Sequence, residues 1–401
     1  CKDIMYTDTM PLNPLLEDVT HPDAIRIIEG STDKLAQATR PRFLENNNSP
    51  VQWTSNDWDR LEADRGALLD MESIRPQIDR ERFLIDGYAI FENAIKPTAQ
   101  QKWLSALKCG QQMNDLLLTA DWSNIDWYGL GRSAPAEGVT PECLLKATGG
   151  SQAVPQKTDV AGVRTLRLHS VFAEYFPAGH LPYLMNVITH KDILELQRLL
   201  LGSSDVYFDH NQLLSRPAGY VGGDWHSHKV GPSYDSGIAL PEEYDSQPNA
   251  ILTLCYLNGF QSDEDGGLKI IRGSHLFRDP TGCVAKTDEE MENGWLNGRI
   301  HPITGKALEI EKFALPPGSI VCCLSHAAHG VAAKVATQET RWSFLICYRK
   351  KSIDGYAQPP SAVPPIWAMK AHRDELPPVL TELLRPSFDR ELTDIGTQYA
   401  T

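Results

Sequence analysis

Two histidines one residue apart, His226 and His228, sit in the run Gly222-Gly223-Asp224-Trp225-His226-Ser227-His228. On extended backbone, positions i and i+2 point to the same face. Two imidazoles held side by side suit a divalent transition metal. Such a site needs at least one more ligand from elsewhere. Downstream stands Ser325-His326-Ala327-Ala328-His329-Gly330, then Arg341-Trp342-Ser343, whose first and third side chains also share a face. The plainer alternative is that these histidines are ordinary core or surface residues. It leaves Arg341 and Ser343 without a reason on an otherwise apolar strand, where an unpaired charge is costly.

The elements that must hold these residues in place follow a period of two from Asp205 onward. Val206 to Phe208, Gln212 to Leu214, the His-x-His stretch, Ala250 to Leu257, Leu268 to Ile271, Ser319 to Leu324 and Arg341 to Tyr348 read as strands. Gly231-Pro232, Asp265-Gly266-Gly267 and Pro316-Pro317-Gly318 separate them as turns. Many short strands point to a mainly β fold of sandwich or jelly-roll type. Helices cluster earlier and are expected to cover one sheet face. Lys96-Pro97 opens one, with Trp103, Leu104 and Leu107 at helical spacing, and Ile193 to Leu201 forms another that Gly202 closes.

Three segments result. Residues 1–79 form an N-terminal extension wrapping the core, punctuated by Pro11, Pro14, Pro22, Pro41 and Pro50, with a short helix from about Asn56 to Met71. Residues 80–350 are the β domain. Residues 351–401 are a Pro-rich strap with one short helix around Val379 to Leu384. Polar, Gly-rich residues 120–165 are expected to form strands and loops near the site. The long stretches Val230 to Asn249 and Leu276 to Lys312 are expected to be lids at the mouth of the scaffold, where specificity would lie.

The 401 residues suffice for one large domain or two ordinary ones. A formal net charge of −14 argues against a nucleic-acid partner, whose phosphates favour a basic face. The eight cysteines include no C-x-x-C pair, and Cys255, Cys322, Cys323 and Cys347 lie in apolar runs as small hydrophobes. That pattern predicts a reducing compartment and a cytoplasmic protein without disulfides. No apolar run is long enough for a membrane span, so no membrane partner is expected. Residue 1 is Cys rather than Met, which reads as a trimmed chain and leaves room for a removed leader.

Taken together, Trp225-His226, the acidic Gly-Gly turn before a strand ending in Gly273-Ser274-His275, Pro317-Gly318-Ser319, His329-Gly330 and an Arg twelve residues later resemble one family. It is the phytanoyl-CoA dioxygenase-like branch of the Fe(II)/2-oxoglutarate oxygenases, and the resemblance runs roughly from Arg80 to Arg349. It implies a double-stranded β-helix core, jelly-roll and cupin-like, with flanking helices. It implies Fe(II), 2-oxoglutarate as cosubstrate, and O2. His226 matches the first iron ligand and His329 the distal one, with His326 its rival. Arg341 matches the residue that grips the far carboxylate of 2-oxoglutarate, by a two-pronged contact that Lys reproduces poorly. Ser343 is expected to add a hydrogen bond. Gln212, Asn211, Thr253 and Tyr256 are further cosubstrate candidates, each also readable as a structural hydrogen-bonding residue.

One position departs from the family, because His228 stands where it has Asp. Neutral imidazole in place of carboxylate raises the site's net charge by one, which disfavours oxidation states above Fe(II) and suits Zn, Cu or Ni as well. Three readings follow: His228 is a true third ligand, Asp224 supplies a carboxylate instead, or water takes the place. The leading function is a dioxygenase that oxidises, by default hydroxylates, a C–H bond of a small-molecule substrate. The alternatives are a catalytically altered metal-binding pseudo-oxygenase serving as a partner subunit, and a three-histidine dioxygenase that does not use 2-oxoglutarate.

Overall fold

The computed structural model describes residues 68–104, 107–108, 167–169, 188–228, 244, 250–277, 285–351 and 382–383. The expectations for 1–67, for 120–165 and for nearly all of 351–401 lie outside the described residues, as does most of 230–249.

In chain order the described helices are α1 (Met71–Ile74), α2 (Arg80–Asp86), α3 (Lys191–Leu201) and α4 (Asp288–Asn293), with a further helical stretch at 97–104. Local chemistry sets their ends. Asp79 caps α2 by accepting from Arg82 N, and Gly87 closes it at φ 84°. Gly202 closes α3 the same way at φ 66°, as its place after the apolar run predicts. No described helix is long and apolar enough to cross a membrane.

The strands are β1 (Tyr88–Phe91), β2 (Arg167–His169), β3 (Val206–Arg216), β4 (Ala250–Tyr256), β5 (Leu268–Ile271), β6 (Ile310–Lys312), β7 (Ser319–Leu324), β8 (His329–Val331) and β9 (Arg341–Lys350). A major sheet runs β1-β7-β4-β9-β3-β2 and a minor one β6-β5-β8, with all neighbours antiparallel. Bridges from Trp225 to Ala285 and from His226 to His329 extend the minor sheet. The two sheets face each other across one apolar interior, the double-stranded β-helix of a jelly roll. Its filling comes from Leu214, Leu252, Leu254, Tyr256, Val321, Leu345 and Cys347 on the major sheet and from Leu268 and Ile270 on the minor one.

Alternation along the strands decides which polar residues see that interior. Cross-strand partners point to the same side, so Gln212 goes with Leu345, Leu214 with Ser343 and Tyr256, and Arg216 with Arg341. The odd residues of β4 point outward, onto helices. Trp103 stacks on Phe344 there at 6.2 Å, and Gln197 of α3 donates to Thr253 Oγ1. Thr253 as a cosubstrate candidate is therefore corrected, because only one parity of β4 faces the interior, and Leu254 and Tyr256 hold it. Asn211 is corrected for the same reason, since it pairs with the outward Ile346. The two strands expected at 206–208 and 212–214 are one strand, bent by a bulge between Phe208 and His210.

The stretch expected to be a lid over 276–312 does something else where it is described. Met291, Leu296 and Leu308 pack with Trp225, Ile271 and Ala328 against the outer face of the minor sheet. Asp288 clamps that layer, accepting from Trp225 Nε1 at 2.8 Å and Lys269 Nζ at 2.7 Å, and pairing with Lys312 Nζ at 2.8 Å. The four described cysteines are buried thiols.

Candidate metal centre

Two short extended segments lie side by side. His226 N donates to His329 O at 3.0 Å, and His329 N donates back to His226 O at 2.9 Å. His329 opens β8 opposite Ile270, whose side chain fills the interior, so the His329 ring points inward as well. His228 N is fixed by Ser325 O at 2.9 Å. His226 and His228 lie not in the regular strand that was expected but in a segment held by the His226–His329 bridge and by the hydrogen bond of His228 N. The ring centroids are 4.3 Å apart for His226 and His329, and 5.2 Å for each of the other two pairs.

One nitrogen from each ring lies within 4.8 Å of the others. A common ion, with metal–nitrogen bonds of about 2.1 Å, needs only small ring rotations from there. The tautomers are set for it. His329 Nδ1 lies 2.7 Å from Ala327 O and His226 Nδ1 lies 3.0 Å from Asp224 O. A carbonyl can only accept, so each Nδ1 carries the hydrogen and each Nε2 keeps its lone pair, the arrangement a metal-binding imidazole requires. Burial, and next the nearby His226 and His228, hold the His329 pKa well below the usual histidine range, against the Ala327 hydrogen bond. A neutral imidazole is the form that binds a cation. The donor set therefore fits a first-row divalent metal.

Two rivals are not in this cluster. Asp224 turns its carbonyl oxygen to His226, and its carboxylate is not among the converging donors. His326, three residues from His329, packs edge-on to the ring of His275 with centroids 6.0 Å apart.

On the major sheet Arg341 and Ser343 share the interior face, as their spacing predicts. Arg341 is 3% exposed, its Nη1 donates to Ser343 Oγ at 2.9 Å, and its guanidinium lies over the Tyr256 ring at 5.1 Å. Its Nε is buried without a hydrogen-bond partner. Burial, its largest influence, pushes the pKa down to about 10, and the neighbouring Arg216 adds to the fall while Tyr256 opposes it. A buried guanidinium with an open donor calls for an anion. Gln212 lies on the same interior face, one strand over. The residue that the sequence reading passed over is Arg216, the in-register partner of Arg341. Its signal was present: it continues the alternation from Gln212 and Leu214.

No known protein family's sequence profile matches this chain, and no curated protein does. Among solved structures it is similar to SnoN, a non-haem α-ketoglutarate-dependent epimerase from nogalamycin biosynthesis, at 15% identity and TM-score 0.41, covering 73% of this chain and 93% of that one. It is similar to AviO1 from Streptomyces viridochromogenes Tue57 at 15% identity and TM-score 0.43, covering 74% and 99%. It is similar to EctD from S. alaskensis, solved with 2-oxoglutarate and 5-hydroxyectoine, at 17% identity and TM-score 0.40, covering 78% and 87%. Likeness at this level leaves the chemistry to this chain's own residues.

Proposed function

We propose that the protein is an Fe(II)/2-oxoglutarate-dependent dioxygenase that oxidises a C–H bond of a small-molecule substrate, with His226, His228 and His329 as the metal ligands. One juxtaposition supports this reading above all. Three imidazoles converge on the minor sheet, and the interior they face is lined on its other wall by the buried, incompletely hydrogen-bonded Arg341. An ion alone has no use for the guanidinium, and a carboxylate alone has no use for the histidines. A 2-oxo acid with a second carboxylate uses both.

In this reading the iron, once bound, supplies the O2 activation that couples conversion of 2-oxoglutarate and O2 to succinate and CO2 with oxidation of the substrate. The chain's own part is binding and exclusion. Asp224 O and Ala327 O hold two of the imidazoles in the ligating tautomer. Arg341 and Ser343 hold the far carboxylate, and the apolar filling around Leu254, Leu345 and Tyr256 keeps water from that end. Three neutral ligands leave the metal with one more positive charge than a carboxylate-containing set, which favours anionic partners in the remaining positions.

The test is anaerobic addition of Fe(II), followed by 2-oxoglutarate. A visible charge-transfer band on the second addition is the expected result. Metal uptake without that band would instead favour a three-histidine dioxygenase that does not use 2-oxoglutarate. Absence of tight metal binding would overturn this reading, together with every alternative that needs the three histidines to hold a metal.

A further inference from the structure

Arg216 ends β3 exactly where Arg341 begins β9, and the two are cross-strand partners. Both side chains stand on the interior face, 4% and 3% exposed. They meet at Gly266, where a Cβ would lie 3.4 Å from Arg341 Nε and 3.5 Å from Arg216 Cβ. Arg216 Nη1 donates to Ser215 O at 2.9 Å, and its guanidinium lies over the Tyr220 ring at 4.7 Å. The Arg341 guanidinium lies over the Tyr256 ring at 5.1 Å. Two like charges held side by side in a dry corner repel each other. Asp265 faces that corner and offsets part of the repulsion, while its oxygens accept from Lys334, Thr337 and Gln261 N.

We propose that Arg216 is a second carboxylate-binding residue of this site, sharing with Arg341 the far carboxylate of a 2-oxo dicarboxylic acid. This deepens the oxygenase reading and rests on it. A carboxylate has about four lone-pair positions, enough for a fork from one guanidinium, a single hydrogen bond from the other and one from the Ser343 hydroxyl. Placing the anion between the guanidiniums turns their mutual repulsion into attraction from both sides. The consequence is selectivity: the pocket discriminates for the second carboxylate more strongly than one arginine would. A 2-oxo acid that lacks this carboxylate gains nothing from either residue.

The experiment compares 2-oxoglutarate with 2-oxobutyrate, which keeps the metal-binding end and lacks the far carboxylate. Each is titrated anaerobically into the Fe(II)-loaded wild type, Arg216→Gln and Arg341→Gln. Arg216→Gln is expected to weaken 2-oxoglutarate binding about tenfold or more, the scale of losing one charged fork, with little change for 2-oxobutyrate. Should that variant fail to fold, Arg216→Lys keeps the charge without the fork and is expected to show a smaller loss in the same ratio. Equal losses for both acids mean that Arg216 is structural, which overturns the proposal. An unchanged 2-oxoglutarate affinity in Arg216→Gln, with a loss in Arg341→Gln, also overturns it and leaves the oxygenase reading standing. A wild type that binds neither acid removes that reading and this proposal together.

Discussion

Arg341 and His329 draw their usefulness from burial, which acts on them in one direction: both are held below their ordinary pKa. For His329 that yields a free lone pair at neutral pH. For Arg341, still charged, it yields an expensive cation whose cost an anion offsets. Truncation to Arg341→Ala is therefore expected to weaken 2-oxoglutarate binding by about 3 kcal/mol or more, the scale for removing one partner of a buried charge pair. Titration of the Fe(II)-loaded protein measures it, and wild-type affinity would remove Arg341 from the anchor. His228→Asp restores a carboxylate and is expected to keep metal binding. His228→Ala is expected to weaken it by more than about 10- to 100-fold, the scale for losing only a partner behind a ligand; if both variants bind metal like wild type, His228 is not a ligand. At this scale the sequence was legible wherever spacing alone carried the message, as in His-x-His and Arg-x-Ser. It was not legible for Thr253 against Tyr256, or Asn211 against Gln212. There the choice of face depended on which strand lies alongside.

The elements divide the work between a rigid frame and one tight corner. α3 (Lys191–Leu201) was readable from its apolar spacing and terminal Gly202, and β7 (Ser319–Leu324) from its apolar run between turn and histidines. β8 spans only three residues, too short for a period to show, and the pairing of its first residue with His226 makes the site. Gly266 sits at φ +77°, and a Cβ there would lie 3.3 Å from Lys334 Cβ and 3.4 Å from Arg341 Nε. Gly266→Ala is thus expected to cost about 1–2 kcal/mol of stability through its backbone and also to weaken 2-oxoglutarate binding. Thr253→Val is the contrasting case. It breaks the contact with Gln197 on the outer face, so a loss of about 1 kcal/mol is expected in denaturant unfolding, with unchanged cosubstrate affinity. A weakened affinity in Thr253→Val would contradict the assignment of the two faces.

Taken whole, the molecule carries a formal charge of −14 while the cations Arg216, Arg341 and Lys334 are buried in its interior. Buried histidine makes its stability sensitive to acid. His275 is fully buried, donates Nε2–H to Leu84 O at 2.7 Å, and faces His326 and His301. Burial first, then those histidines, push its pKa down to about 3 against the Leu84 hydrogen bond. In the unfolded chain it titrates near the ordinary 6.5. Between those values the unfolded state holds a proton that the folded state lacks, so stability falls as pH drops from about 6.5 towards 3, by up to about 1.4 kcal/mol per pH unit. His275→Gln keeps a donor for Leu84 O and removes the titration. Its unfolding free energy is expected to depend less steeply on pH over that window, and an unaltered slope would assign the acid lability to other groups.

The sequence by itself determined the residue types, their period-two spacing and the turns between them, because these are local properties of the chain. From them came the mainly β class, the shared face of His226 and His228, and the Arg341–Ser343 pair, while the choice of His329 rested on the family resemblance. Only the tertiary structure decided which face each strand buries, that Asp224 and His326 stand apart from the donor cluster, and that Arg216 stands beside Arg341. Those outcomes depend on strand register and on sheet-to-sheet packing, which join residues more than a hundred positions apart and leave no periodic mark along the chain.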